Sequence, residues 1–364
     1  MKLYFKNIDG LRLIAALLVV YHHCILFAND KYPSLYLIGR DIASHWGTLG
    51  VNIFFVLSSF LITSLLLQEI ENTDNLNFKK FYIRRALRIW PLYFMFGVAA
   101  TCLSAVLFNA IGYNESAGQI GSNLAYLFSF AINFQIMHSY NRDIIEIFWS
   151  VCIEEHFYLV WPLLVWLFRK KIVLLCTLTL LVSIMSYVFF YFNDLGFRYP
   201  QYYFTLCRFD LFALGGALAY YTKKRKIQFS NMAGAGSIAA SLFLIFTNYT
   251  FALSNYTLFT SLVSGVVFSL LIAYLINCKS SILESKIMKE GGKISYGIYV
   301  LHPFMVHVSL YICAKYCSNQ YLFCLIYPLL SVATTWLVAS ISYYIIEERF
   351  IKMKSKYTII HKIQ

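Results

Sequence analysis

Four side chains able to bind anions or move protons, Asp9, Arg12, His22 and His23, fall within a single apolar run, Ile8 to Phe27. In such a segment a charge or an imidazole is costly unless it faces protein or a water-filled cavity, so these residues mark a site. Arg12 and His23 are eleven residues apart. On a helix that is three turns plus roughly 20°, which places both on one stripe. His22 falls roughly 80° off the stripe and reads as an interfacial residue at a wet helix end. His23 is therefore the candidate general base, since imidazole exchanges a proton near neutral pH.

Its candidate partners are carboxylates on later runs. Glu154 and Glu155 lie in the stretch from Phe148 to Pro162, and Arg208 and Asp210 in the stretch from Cys207 to Gly216. By helical rise, His23 sits roughly 18 Å from the inner end of its helix and the acids roughly 10 Å from the outer ends of theirs. In a hydrocarbon layer of roughly 30 Å these are one depth. A carboxylate beside an imidazole orients the ring and favours its charged form as it takes a proton, which is the work of a general base. The alternative is a set of ion pairs that hold helices together, a reading open above all for Arg208 with Asp210.

Ahead of the third apolar run, Lys79, Lys80, Arg84, Arg85 and Arg88 crowd together. Arg85 and Arg88, three apart, share a helix face, and arginine pairs clamp phosphate through bidentate hydrogen bonds. Attraction to anionic lipid is the competing explanation and suffices for Lys79, Lys80 and Arg84. His302 precedes Pro303, which frees a backbone carbonyl inside its helix. It lines an acceptor pocket or caps a kink. No phosphate-binding glycine loop, nucleophile elbow or metal-ligand spacing appears, and nothing argues for a redox cofactor.

The elements that must position these residues follow from composition. Of 364 residues, 60% are hydrophobic and 13% charged, and mean hydropathy is +0.64. A soluble domain carries roughly 25% charge, so the sequence predicts an all-α polytopic membrane protein. Apolar runs of spanning length fall at about 11–28, 47–68, 90–110, 147–168, 172–192, 203–222, 233–251, 257–277, 294–314 and 322–346. With these ten as spans, one side receives 23 Lys and Arg and the other five: Lys31, Arg40, Arg142, Arg198 and Lys315. That asymmetry puts both termini in the cytoplasm. It also leaves the shorter run Ser122–Met137 as a re-entrant or surface helix in an outer loop.

The net charge of +13 therefore reflects topology and does not point to nucleic acid. Nine scattered cysteines read as small core residues. The polar residues in the first run, with no cleavage site after it, make it a retained helix and not a signal peptide. Loops at Asn193–Gln201 and Cys278–Gly292 are the expected hinges. The chain divides into a transmembrane domain, 1–350, and a basic cytoplasmic tail, 351–364. Oligomeric state has no signal in the sequence.

Several blocks in order resemble the acyltransferase-3 family of integral membrane acyltransferases. Ile8 to His23 looks like its Arg-x10-His motif, with Arg12 and His23 in the named positions, and Arg85-Ala-Leu-Arg88 like its Arg-x-x-Arg motif. Gly50 to Ile62, Trp149 to Glu155, Arg208-Phe-Asp210 and Ser295 to Tyr299 resemble further blocks. Asn52, Ser59 and His156 stand where the family usually has aspartate, glycine and glutamine.

The resemblance implies a stand-alone O-acyltransferase of the bacterial cytoplasmic membrane. Its donor co-substrate would be acetyl-CoA or another acyl-CoA, and its acceptor a hydroxyl of a cell-surface or lipid-linked glycan such as an O-antigen. It implies catalytic roles for His23, Glu154, Glu155 and Arg12, donor binding by Arg85 and Arg88, and an acceptor pocket near Asn52, Arg208, Asp210 and His302. A transporter of glycans or lipids also suits a many-span protein with intramembrane charge, and acylation of a small molecule is a further enzyme reading.

Overall fold

The computed structural model describes residues 5–31, 43–110, 120–138, 144–225, 230–247, 257–278, 280–354 and 357. Among them Lys and Arg of the topology argument are mostly present, while Lys2, Arg40, Arg142, Lys226, Lys279, Lys356 and Lys362 lie outside the described residues.

The described chain is helical and without strands. Seven helical stretches are long and apolar enough to cross a membrane: Ile8–Ala28, Trp46–Thr73, Ile144–Leu167, Ile172–Phe192, Leu258–Leu275, Lys286–Tyr316 and Gln320–Lys354. Three further apolar runs also fold as helices, Phe78–Ala110, Phe209–Arg225 and Asn231–Phe246. We number the elements α1 (Ile8–Lys31), α2 (Trp46–Thr73), α3 (Phe78–Ala110), α4 (Ile120–Phe128), α5 (Ile132–His138), α6 (Trp149–Leu167), α7 (Ile172–Phe192) and α8 (Pro200–Tyr203). There follow α9 (Phe209–Arg225), α10 (Asn231–Phe246), α11 (Thr257–Leu275), α12 (Lys286–Tyr316), α13 (Gln320–Ser342) and α14 (Glu348–Lys354).

The segment around Ser122–Met137 is two short helices, α4 and α5, broken where Phe130 takes a positive φ of 54°. Neither half reaches spanning length. At Cys278–Gly292 the helix begins earlier than the hinge expectation: α12 starts at Lys286, so Gly291 and Gly292 lie inside it. The boundary drawn at 350 falls within α14, which packs against α3.

Helix α1 is the hub. It packs along α2 on one side and α12 on the other, while α2 carries α9 and α11 on its far face. Between lipid-soluble helices, close backbone approach and polar contacts supply the association energy. Gly50 shows the first: a Cβ there would stand 2.5 Å from the carbonyl oxygen of Ala15. Asn7, 1% exposed, shows the second. Its side-chain amide donates to the carbonyls of Leu275 (2.6 Å) and Cys278 (3.1 Å), and its backbone N–H donates to Glu284 at 2.5 Å. The start of α1 is thereby pinned to the loop that leads into α12. Downstream, Asp74 ends α2 in a left-handed turn, and Asn77 caps α3 by accepting from Lys80 N at 2.9 Å.

Candidate active site

α1 and α12 bring two histidines together. His302 Nε2 lies 3.2 Å from His23 Nδ1, with ring centroids 4.7 Å apart. His23 Nδ1 also lies 2.9 Å from the carbonyl of Val19, and His302 Nδ1 lies 2.6 Å from that of Tyr299. His302 is fully buried, whereas His23 keeps part of its surface accessible. Phe27 and His307 extend the ring cluster: Phe27 sits 5.5 Å from His23 and 4.1 Å from His307. His22 projects at 87° to His23 and packs on Gly47 of α2. It is thus wedged between helices, not set at a wet helix end.

The two glutamates do not touch His23. Glu154 accepts from the hydroxyl of Tyr158 at 2.7 Å, and that hydroxyl also meets Ser58 of α2. Glu155 accepts from the indole N–H of Trp90 at 3.1 Å. Glu154 and Tyr158, one helical turn apart, instead face the positive residues: Arg12, Arg85 and Arg88 all lie within Coulombic reach of Glu154. An acid against an imidazole was the expectation, and a second imidazole occupies that place.

Arg12, Arg85 and Arg88 converge from α1 and α3. Their guanidiniums make no ion pair and no hydrogen bond among the described residues. Arg85 lies over the rings of Phe81 (5.7 Å) and Tyr158 (5.8 Å), and its Nε is buried without an acceptor. Arg84 differs, since it bridges Glu69 at 3.4 Å and donates to the backbone carbonyl of Tyr357 at 2.9 Å. Two contributors lie beyond the sequence expectation. Lys354 of α14 lies within Coulombic reach of Arg12, Arg84, Arg85 and Arg88. Glu347, 5% exposed, faces Arg88 from a single π-helical turn, Tyr343–Glu347, that interrupts the last long helix. Such turns insert a residue and re-aim the side chains after it. The only sequence trace of Glu347 is an acid at the end of an apolar run.

Arg208 and Asp210 form a separate buried group with Asn52. Arg208, 1% exposed, donates to Asn52 Oδ1 and, at 3.3 Å, to the hydroxyl of Tyr187. The amide of Asn52 donates to Ser264 at 2.7 Å, so this residue ties α2 to the turn ahead of α9 and to α11. Asp210 is fully buried near Arg208 but not in an ion pair with it. Ser59 donates to the carbonyl of Phe212 at 2.5 Å, and His156 meets Thr205 at 2.9 Å. Both contacts are made by the hydroxyl and imidazole that depart from the family pattern.

These contacts make Asn52 a structural tie. Asn52→Leu removes one of the two acceptors of the Arg208 guanidinium and leaves the Tyr187 hydroxyl. It is expected to destabilise the protein by about 1–3 kcal/mol, while Asn52→Asp keeps an acceptor and holds stability. Thermal unfolding of the two variants in detergent measures the difference.

Among the described residues no group of His, Cys, Asp and Glu is spaced to hold a metal ion. What the arrangement offers is a cluster of guanidiniums on one side and an accessible imidazole on the other, joined by the single helix α1.

Comparison with known proteins bears on that chemistry. A family model described as an acyltransferase domain matches residues 5–345. Among curated proteins, the chain is 28% identical to the peptidoglycan O-acetyltransferase OatA of Listeria monocytogenes, over 94% of this chain and 55% of that protein. It is 26% identical to the putative peptidoglycan O-acetyltransferase YrhL of Bacillus subtilis, over 99% of this chain and 58% of that protein. It is also 26% identical to the O-acetyltransferase OatA of Staphylococcus aureus, over 94% and 57%. The chain thus spans a little over half the length of these relatives. No solved structure matches it.

Proposed function

The chain belongs to the acyltransferase-3 family, and from that premise we propose that it is a membrane-embedded O-acetyltransferase acting on a cell-surface glycan. The donor in this reading is a cytosolic acyl-CoA, most simply acetyl-CoA, used as a co-substrate. The acceptor is a sugar hydroxyl of a polysaccharide, for which the peptidoglycan named in the relatives is the first candidate and an O-antigen-type or lipid-linked glycan the second. The protein would sit in a bacterial cytoplasmic membrane with ten crossings and both termini inside, as the distribution of Lys and Arg favours.

The observation that carries the reading is the trio Arg12, Arg85 and Arg88. The three guanidiniums form no ion pair among the described residues, with Glu154, Asp9 and Glu347 only at Coulombic range; such a cluster suits an anion, and a nucleotide thioester brings phosphates that guanidiniums clamp. α1 runs from that cluster to His23, so a donor anchored at the arginines reaches along the helix toward the imidazole. There His23 takes the proton of the acceptor hydroxyl as its oxygen attacks the thioester carbonyl carbon. The carbon–sulfur bond then breaks, and the departing thiolate takes the proton from the imidazolium. Oxygen gains the acyl group, sulfur gains the proton, and the histidine returns to its starting form. Glu154, held by Tyr158, moderates the charge of the arginine cluster in this scheme, and the buried Asn52, Arg208, Asp210 and His302 back the acceptor side without touching the acceptor.

The experiment is reconstitution in proteoliposomes with acetyl-CoA and peptidoglycan fragments. Acceptor-dependent release of free CoA with gain of an acetyl ester, read by mass spectrometry, is the expected result. Movement of unmodified glycan across the bilayer without CoA release would replace the enzyme reading with a transporter.

A further inference from the structure

Proline at 303 has no N–H, so the carbonyl four residues earlier, that of Tyr299, loses its helical donor. The structure shows what takes the place: His302 Nδ1, at 2.6 Å. A carbonyl oxygen can only accept, so His302 carries its proton on Nδ1 and, as a neutral ring, offers a lone pair on Nε2. That lone pair meets His23 Nδ1 at 3.2 Å. The same nitrogen of His23 lies 2.9 Å from the carbonyl of Val19, so it too must be the protonated one, shared between two acceptors. One arrangement of protons satisfies all three contacts with both rings neutral, and in it His23 Nε2 is bare.

We propose that His302 is the positioning residue for His23: locked by the carbonyl that Pro303 frees, it holds His23 in the tautomer whose Nε2 is the basic nitrogen. The inference deepens the acyltransferase reading and rests on His23 being its base. Burial divides the roles. His302 is 0% exposed and cannot reach a substrate, whereas His23 retains accessible surface. The usual orienting carboxylate is replaced by a neutral ring, consistent with Glu154 and Glu155 being engaged by Tyr158 and Trp90. His22 and His307 also face His23 at Coulombic range. Neither makes a hydrogen bond to it among the described residues.

The test has an activity arm and a spectroscopic arm, both on the full chain. His302→Ala is expected to lower kcat about 10- to 100-fold with KM for acetyl-CoA and for the glycan unchanged, and His302→Gln, whose carbonyl can accept from His23, to recover most of it. Pro303→Ala, which returns the Tyr299 carbonyl to the helix ladder, should lower kcat in the same direction. Solid-state NMR of ¹⁵N-histidine protein, with the His23 signals assigned by their loss in His23→Ala, should show His23 protonated on Nδ1 and bare on Nε2. An unaltered kcat in His302→Ala, or a His23 signal protonated on Nε2 in the unsubstituted protein, overturns the inference. Full transfer by His23→Ala would instead overturn the general-base reading, whatever the spectrum shows.

Discussion

His23→Ala loses acyl transfer by about 10²- to 10⁴-fold in kcat, the range by which a positioned general base accelerates proton transfer. Donor binding survives the change, because the arginine cluster lies elsewhere along α1. His22→Ala, by contrast, keeps kcat within about threefold once folded protein is quantified, since it removes a ring that packs on Gly47. The two residues are neighbours in sequence and their rings stand at 87° to one another, so the pair isolates direction from location. Free CoA release measured on both variants in nanodiscs decides it. A dead His22→Ala beside an active His23→Ala would reverse the assignment of base.

The second large effect is at the donor end. Arg88→Ala is expected to raise KM for acetyl-CoA about 10- to 100-fold, the loss of a charge-assisted contact worth about 1.5–3 kcal/mol. Arg85→Ala should behave alike, and Arg→Lys at either position should restore little, because an ammonium cannot make the paired bonds of a guanidinium. KM for the glycan should stay put. The arginines differ from Arg84, whose bridge to Glu69 and bond to Tyr357 give it a structural partner on each side. Steady-state kinetics with each substrate varied in turn separates the two ends. A shift confined to the glycan KM would move these arginines out of the donor site.

The placement of Arg12, His23, Arg85 and Arg88 was legible because it depends on helical periodicity alone, within one helix at a time. The pairing of His23 with His302 was not. The partners are 279 positions apart, and which helix stands beside α1 is decided by packing, not by local pattern. The sequence offered two acids as plausible neighbours, and Tyr158 and Trp90 held them away. Pro303 marked a freed carbonyl correctly, yet only the fold shows that the adjacent histidine takes it. Glu347 was hidden for a different reason: a π-helical turn shifts the register by one residue, and a strict 3.6-residue period misassigns the face of everything after it. The helical character of the ten apolar runs was clear from composition, whereas the start of α12 before Gly291 and Gly292 was not. Those glycines serve close approach to Leu13 and Asp9 of α1, not a bend.

The fold-back of α14 has a practical bearing on how the protein is handled. Arg84 grips the main chain at Tyr357, which holds the last described residue near the guanidinium cluster that the proposal assigns to the donor. On that proposal, a bulky label carried at position 357 would crowd incoming thioester and slow turnover. A small reporter dye in the same place would instead sense donor arrival directly.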